Sequence, residues 1–536
     1  MRISRVILIG VVLVSTAAGV DSKVCGACHS AIYRSYLKTP MARTSGFADP
    51  STAPLSGRTE VVDAASTVRL RVTLEKNATW VHFAQGATEG ARRLDYFLGA
   101  GVLGRSYASN LDGFLFQAPV SYYTSTRDWD LSPGFEDSAH LPLARPVERG
   151  CLNCHASGLR PIAETVNQYQ NPAFAEPGVS CERCHGPGDD HVARIKSGDT
   201  RRGLGIVNPA RLNPAERDSV CGQCHLVGAI RILKSNANRY EPGKRLFDST
   251  AAFLWSGGDY ERTSNSHFEQ LVNSACWKKS AGMLWCGSCH SIHTVLTEAD
   301  RRESYRKRCL ACHTADAVRC SAPLAQRTSV RDDCIACHMP TKPITTVAHA
   351  VQVDHTIARV PAESSLANST GEASLVPFPD STAGDRELGL AYATEALPRN
   401  NRVWGERAFQ LLRKVAAAQP EDAAVALQLA QLYDRMGQQQ QACDYFRQAV
   451  EKRAPGTAAL VNLGACQASQ GDLDGAAKSW SQALQRNPAV EAARLNLAIA
   501  QSRLGDVEGA RATLQKALEY DPFSQRVREL LQSIKR

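Results

Sequence analysis

Residues 181–191 read Cys181-Glu182-Arg183-Cys184-His185-Gly186-Pro187-Gly188-Asp189-Asp190-His191. The first five follow the pattern C-x-x-C-H, which sets two thiols about one helical turn apart and a histidine directly after the second. Thiols at that spacing reach the two vinyl groups of one porphyrin, and the histidine falls under its iron, so the pattern is the attachment signature of c-type haem. It recurs at Cys25-Cys28-His29, Cys151-Cys154-His155, Cys221-Cys224-His225, Cys286-Cys289-His290, Cys309-Cys312-His313 and Cys334-Cys337-His338. Seven copies use fourteen of the eighteen cysteines. A zinc site or a thioredoxin-like redox pair also uses C-x-x-C, yet neither these nor disulfides need a histidine after every pair. The expectation is seven covalent haems c, with the seven motif histidines as proximal ligands.

Fourteen histidines are present in all, and His82, His140, His191, His267, His293, His349 and His355 remain outside the motifs. One spare histidine per iron is the number that full bis-histidine coordination needs. His191 follows the motif at 181–185 by six residues, and His293 follows His290 by three. Neither wraps easily to the far face of its own haem, so each is expected on a neighbouring one. His267 precedes the fifth motif, and His349 and His355 flank an apolar stretch after the last, where at least one ligand is expected. His140, in a proline-bounded loop, is a candidate distal ligand as well. His82 belongs to a returning strand and reads as sheet surface. Met41 is a further candidate distal ligand, or a methionine packing on the porphyrin.

Outward from the motifs the chain divides. Residues 1–20 carry Arg2 and Arg5, an apolar run from Val6 to Val14 and then small residues, the pattern of a secretory signal peptide. The run is too short for a stable bilayer anchor, and no later stretch is long enough, so no transmembrane span is expected in the mature chain. Export also agrees with the many cysteines. Residues 21–355 are expected to form a multihaem cytochrome c domain with little regular secondary structure. Within it, 46–145 lacks motifs. There Val68, Leu70, Val72 and Leu74 alternate with polar residues and Trp80-Val81-His82-Phe83 returns, which predicts a small β-rich insertion. Six motifs then crowd into fewer than two hundred residues, too little chain for a conventional core around each, so porphyrin would form the core itself.

Residues 356–384, rich in Ser, Ala, Pro and Thr, read as a linker. Beyond them Gly437, Gly471 and Gly505 are spaced by 34, as are Ala442, Ala476 and Ala510, and Ala449, Ala483 and Ala517. A 34-residue period with small residues at helix contacts is the tetratricopeptide signature, predicting an α-helical solenoid over 385–536 and making the fold mostly α. An earlier Leu388-Gly389 with Tyr392 matches the first helix of a further repeat. Such an array presents a concave surface for a protein partner. Cys443 and Cys466 fall on repeat helices, where small buried residues are expected; Cys276 and Cys320 are able to pair, which sequence alone does not decide. The formal charge of +9 does not point to nucleic acid. The signal peptide holds two of the arginines, each ferric haem with ionised propionates adds a net charge of about −1, and Arg pairs readily with carboxylate.

The haem segments resemble the multihaem cytochromes related to cytochrome c-554 and hydroxylamine oxidoreductase. The likeness lies in Cys25 to His29 through Tyr33, Tyr36 and Met41-Ala42-Arg43, in Cys181 to His191, and in Cys286 to His293. It covers roughly residues 22–358 and implies distal-ligand roles for His191 and His293. At Met41 the chain departs from relatives that often show histidine there. The expected function is electron transfer to and from redox partner proteins, in the periplasm or at the cell surface, with the repeats docking a protein partner. The alternative is a multihaem oxidoreductase acting on nitrite or hydroxylamine at a haem with an open distal position. A scaffold with merely structural haems would not need seven.

Overall fold

The computed structural model describes residues 19–136, 140–199, 201, 205–226, 230–235, 239–257, 266–314, 320–344, 349–359 and 373–534. The signal-peptide reading therefore falls almost wholly outside the described residues. Among these residues no helix is long and apolar enough to cross a membrane.

The motif-free stretch folds as two antiparallel sheets. Arg69–Glu75 and Ala78–Gln85 form the expected hairpin, flanked by Glu60–Val62 and Thr88–Arg93. The second sheet joins Ser45–Phe47, Tyr96–Leu98, Gly104–Leu111, Phe114–Tyr123, Asp128–Leu131 and Arg145–Pro146. Alternation drives this pairing: Val61, Leu70, Val72, Val81 and Phe83 face inward and pack with Phe97, Tyr107, Val120 and Trp129 in one core.

β structure also continues well beyond the insertion, which corrects the expectation of a haem domain with little regular structure. Ala156–Pro161 pairs with Tyr169–Pro177, and Thr341–Pro343 with Val351–Val353. Ile230–Leu233 pairs with Thr250–Ser256, where the run Ala251-Ala252-Phe253 is fully buried. The third strand of that sheet, Ser374–Pro377, lies inside the stretch read as a linker. Its composition suits a loop, but Leu375 is buried and its backbone N–H is held by the Tyr392 hydroxyl at 3.0 Å. Tertiary packing overrides the weak local signal.

The C-terminal part is an α-helical solenoid of antiparallel pairs: Asp385–Arg399 with Arg402–Ala418, Ala423–Arg435 with Gln439–Glu451, Ala458–Ser469 with Leu473–Arg486, and Glu491–Arg503 with Val507–Tyr520, followed by Gln525–Ile534. Side-chain oxygens of Asn401, Asp422, Asp472 and Asp506 accept backbone N–H bonds at four helix starts. The periodic glycines Gly437, Gly471 and Gly505 take left-handed φ values of 72°, 84° and 88° in the turns within pairs, which explains why they repeat. The periodic alanines Ala442, Ala476 and Ala510 are wholly buried where helices cross. Gly389 does the same service in the first pair, since a Cβ there would lie 2.8 Å from Leu412.

The solenoid is fastened to the rest at both ends. At its start Trp404 stacks on Trp255 at 4.3 Å, and Tyr392 and Leu412 join Phe253 and Leu375 in one core. At its end Phe523 enters the core of the two N-terminal sheets, while Arg92 donates to the Glu519 and Tyr520 carbonyls at 3.0 and 2.7 Å.

Candidate functional site

Each C-x-x-C-H motif forms a single helical turn. Three lie inside the helices Arg149–His155, Pro214–His225 and Cys334–His338. In the other four the histidine N–H donates to the carbonyl of the first cysteine: His29 to Cys25 at 2.8 Å, His185 to Cys181 at 3.0 Å, His290 to Cys286 at 2.8 Å and His313 to Cys309 at 3.0 Å. That bond puts both sulfurs and the imidazole on one side of one turn.

All fourteen motif cysteines are unpaired, as are Cys276 and Cys320, whereas Cys443 and Cys466 form a disulfide joining two repeat helices. Thiols of different motifs meet in twos: Cys25 with Cys181, Cys154 with Cys224, Cys221 with Cys286, and Cys309 with Cys334. Cys184 adjoins Cys221 and Cys224, and Cys289 adjoins Cys309. The seven motifs therefore form one continuous string, with the second branching from the fourth. Burial pushes the Cys184 thiol up to about 11.

The histidines sort by which ring nitrogen is engaged. His185, His338 and His355 place Nδ1 against the carbonyls of Val207 (2.7 Å), Ala358 (2.9 Å) and Val353 (2.9 Å). A carbonyl only accepts, so Nδ1 carries the hydrogen and Nε2 is left as the lone-pair nitrogen, the arrangement of a metal-ligating imidazole. His155 Nδ1 meets the Thr44 hydroxyl at 2.7 Å and His290 Nδ1 the Tyr305 hydroxyl at 3.2 Å. These five partners were not foreseen from sequence, and Thr44 lies 111 residues from His155. His82, His140 and His349 differ: Nε2 itself meets a carboxylate, Glu75 at 2.6 Å, Asp521 at 2.6 Å and Asp130 at 3.0 Å.

Two spare histidines lie near motif histidines with their rings almost parallel. The rings of His185 and His293 are 6.1 Å apart between centres and 13° from parallel; those of His290 and His355 are 6.1 Å apart and 20° from parallel. His267, at the start of helix His267–Asn273, stacks on His355 at 4.2 Å. Burial holds His155, His225, His290, His293 and His355 below the ordinary imidazole range and His267 down to about 4, favouring the uncharged form that binds metal. His191 lies in the first turn of helix Asp189–Lys196, Met41 in the short turn Met41–Arg43, and His29 and His313 are exposed.

Arginines read as propionate partners also serve the backbone here. Arg231 donates to the Gly222, Gln223 and Leu226 carbonyls at the end of the fourth motif helix, and Arg183 to the Asn153 carbonyl at 2.7 Å. From residue 275 to 344, a stretch holding three motifs, no described side chain is fully buried, and its groups are desolvated only in part.

The signature of the cytochrome c554 and c-prime family matches residues 135–186, which span the second and third motifs. Tetratricopeptide repeat signatures match residues 427–480 and 467–534. No curated protein matches the chain. Similar solved structures include MamA, at 17% identity over 26% of this chain and 81% of that one with a TM-score of 0.24. A thermophilic tetratricopeptide protein of Thermus thermophilus is 22% identical over 28% of this chain and 80% of that one, TM-score 0.23. The first tetratricopeptide domain of Spaghetti, bound to an HSP90 peptide, is 18% identical over 21% and 90%, TM-score 0.20.

Proposed function

We propose that the chain is an exported electron-transfer protein that holds about seven c-type haems through its C-x-x-C-H motifs and meets a protein partner through its repeats. The observation that carries this reading is the pair of opposed histidines, His185 with His293 and His290 with His355. A metal–imidazole bond is about 2 Å long, so two imidazoles on opposite sides of one iron hold their ring centres about 6 Å apart. Both pairs keep that span at 6.1 Å. In each, one member follows a cysteine pair and the other comes from a distant or different turn.

Haem bound in this way supplies reversible one-electron chemistry. The chain's own part is to fix position. Each helical turn presents two sulfurs and one imidazole, the Nδ1 bonds orient rings, and the string of adjoining motifs sets neighbouring sites within short range of each other. The stretch 275–344, without a fully buried side chain, fits a polypeptide that wraps a rigid apolar group instead of its own core. The Cys443–Cys466 disulfide supports an oxidising compartment, in line with export to the periplasm or beyond. A cleft of about 240 Å³ lined by Trp480, Asn496, Ile499 and Arg503 on the repeats is a place for a partner.

The test is the haem content of purified protein matured with a cytochrome c assembly system, by alkaline pyridine spectrum and intact mass. About seven covalent haems per chain are expected; a colourless protein of unmodified mass refutes the reading. The enzyme alternative, acting on nitrite or hydroxylamine, draws support from the engaged Nε2 atoms of three spare histidines.

A further inference from the structure

We infer that His82, His140 and His349 are not iron ligands, so that at least three of the seven sites have no second histidine from this chain. The inference rests on the haem reading above and asks how the spare histidines are distributed among its sites.

Haem iron binds histidine through the ring nitrogen remote from the side-chain stem, and in these three residues that atom is engaged. His82 Nε2 lies 2.6 Å from Glu75 and 3.0 Å from the Thr73 hydroxyl, on the strand Ala78–Gln85, with Arg71 and Ala91 as its cross-strand neighbours. His140 Nε2 lies 2.6 Å from Asp521, which belongs to the last repeat. His349 Nε2 lies 3.0 Å from Asp130, its ring packs edge-on against Tyr123 at 5.0 Å, and its carbonyl accepts from the Ser125 hydroxyl at 2.8 Å. Exposed histidine–carboxylate pairs are weak on their own. Location decides the matter: the partners of all three belong to the motif-free sheets or to the end of the repeats.

Seven spare histidines less these three leave His191, His267, His293 and His355 for seven irons. His293 and His355 already face His185 and His290. Three irons thus lack a second histidine. Met41, Met283 and Met339 are the methionines of the motif-bearing region. An iron that none of them reaches accepts a small neutral or anionic ligand of the kind that binds haem iron, such as carbon monoxide or nitrite.

The test uses the holoprotein, with haem content measured first. Near-infrared magnetic circular dichroism counts bis-histidine irons, and carbon monoxide titration of the reduced protein counts open ones. The expected result is no more than four bis-histidine irons. His82→Ala, His140→Ala and His349→Ala leave both counts unchanged, while His293→Ala and His355→Ala each add one carbon monoxide site. Five or more bis-histidine irons in the unmodified protein, or a gain of carbon monoxide binding in any of the first three variants, overturns the inference. A low haem content instead defeats the reading beneath it.

Discussion

Residues 275–344 and the repeat helices from 423 to 520 are of comparable length scale, yet they are held together in opposite ways. The repeats bury a continuous row of small and large side chains, among them Ala442, Ala476, Trp480, Ala483 and Leu514. The motif segment has no fully buried side chain among the described residues, and none in its longest helix, Glu298–Leu310. Polypeptide alone stabilises the first region, because each helix pair covers its neighbour's apolar stripe. The second has too little apolar contact to offset the entropy of ordering its chain. The difference teaches that haem attachment, on the proposed reading, is a folding event for one half and irrelevant to the other.

The largest effect expected from this contrast is on the whole motif segment. Protein made without haem attachment should be cut by protease throughout 275–344 while a fragment containing 385–534 survives. A resistant motif segment in the haem-free chain would break the comparison. Within the repeats, Trp480→Ala removes a buried indole whose N–H donates to the Val461 carbonyl at 3.0 Å. It should cost about 3–5 kcal/mol in denaturant unfolding of the array. Leu324→Ala, at a side chain 71% exposed in the motif segment, should stay within about 0.5 kcal/mol by the same measurement.

A middle-sized effect concerns the disulfide. Cys443 and Cys466 are 23 residues apart, and Cys443→Ala with Cys466→Ala should lower array stability by about 3 kcal/mol relative to the oxidised protein. Reductant should produce the same loss in the unmodified protein and none in the double variant.

The smallest effect lies at the junction between repeats and sheets. Lys516 and Tyr520 both donate to Asp112 at 2.9 Å and hold its carboxyl below the ordinary range. A lowered folded-state pKa means the contribution is full above the unfolded value of about 4 and fades as pH falls through the lower one. Asp112 is 59% exposed, so the contribution is under about 1 kcal/mol. The stability difference between the native protein and Asp112→Asn should shrink between pH 5 and pH 3; a difference that grows on acidification contradicts the assignment.

Legibility in the sequence followed the range of the interaction. Gly437, Gly471 and Gly505 were visible because a left-handed turn is a local demand repeated every 34 residues. The hairpin of 69–75 and 78–85 was visible because alternation is local too. The strand Ser374–Pro377 was not, since its register is set by Thr250–Ser256 more than a hundred residues earlier. The same holds for the candidate site. No pattern near His185 announces Val207 or His293, and none near His140 announces Asp521.

By itself the sequence determined a local grammar: seven pairs of thiols, each pair followed by a histidine, and a helical period of 34. Both are consequences of neighbours along one turn of chain, so composition and spacing suffice to read them. Only the tertiary structure decided which spare histidines stand opposite a motif and which are tied to carboxylates, and that the repeats are anchored at both ends. Those outcomes depend on residues brought together from distant positions, where packing, not local order, selects the partner.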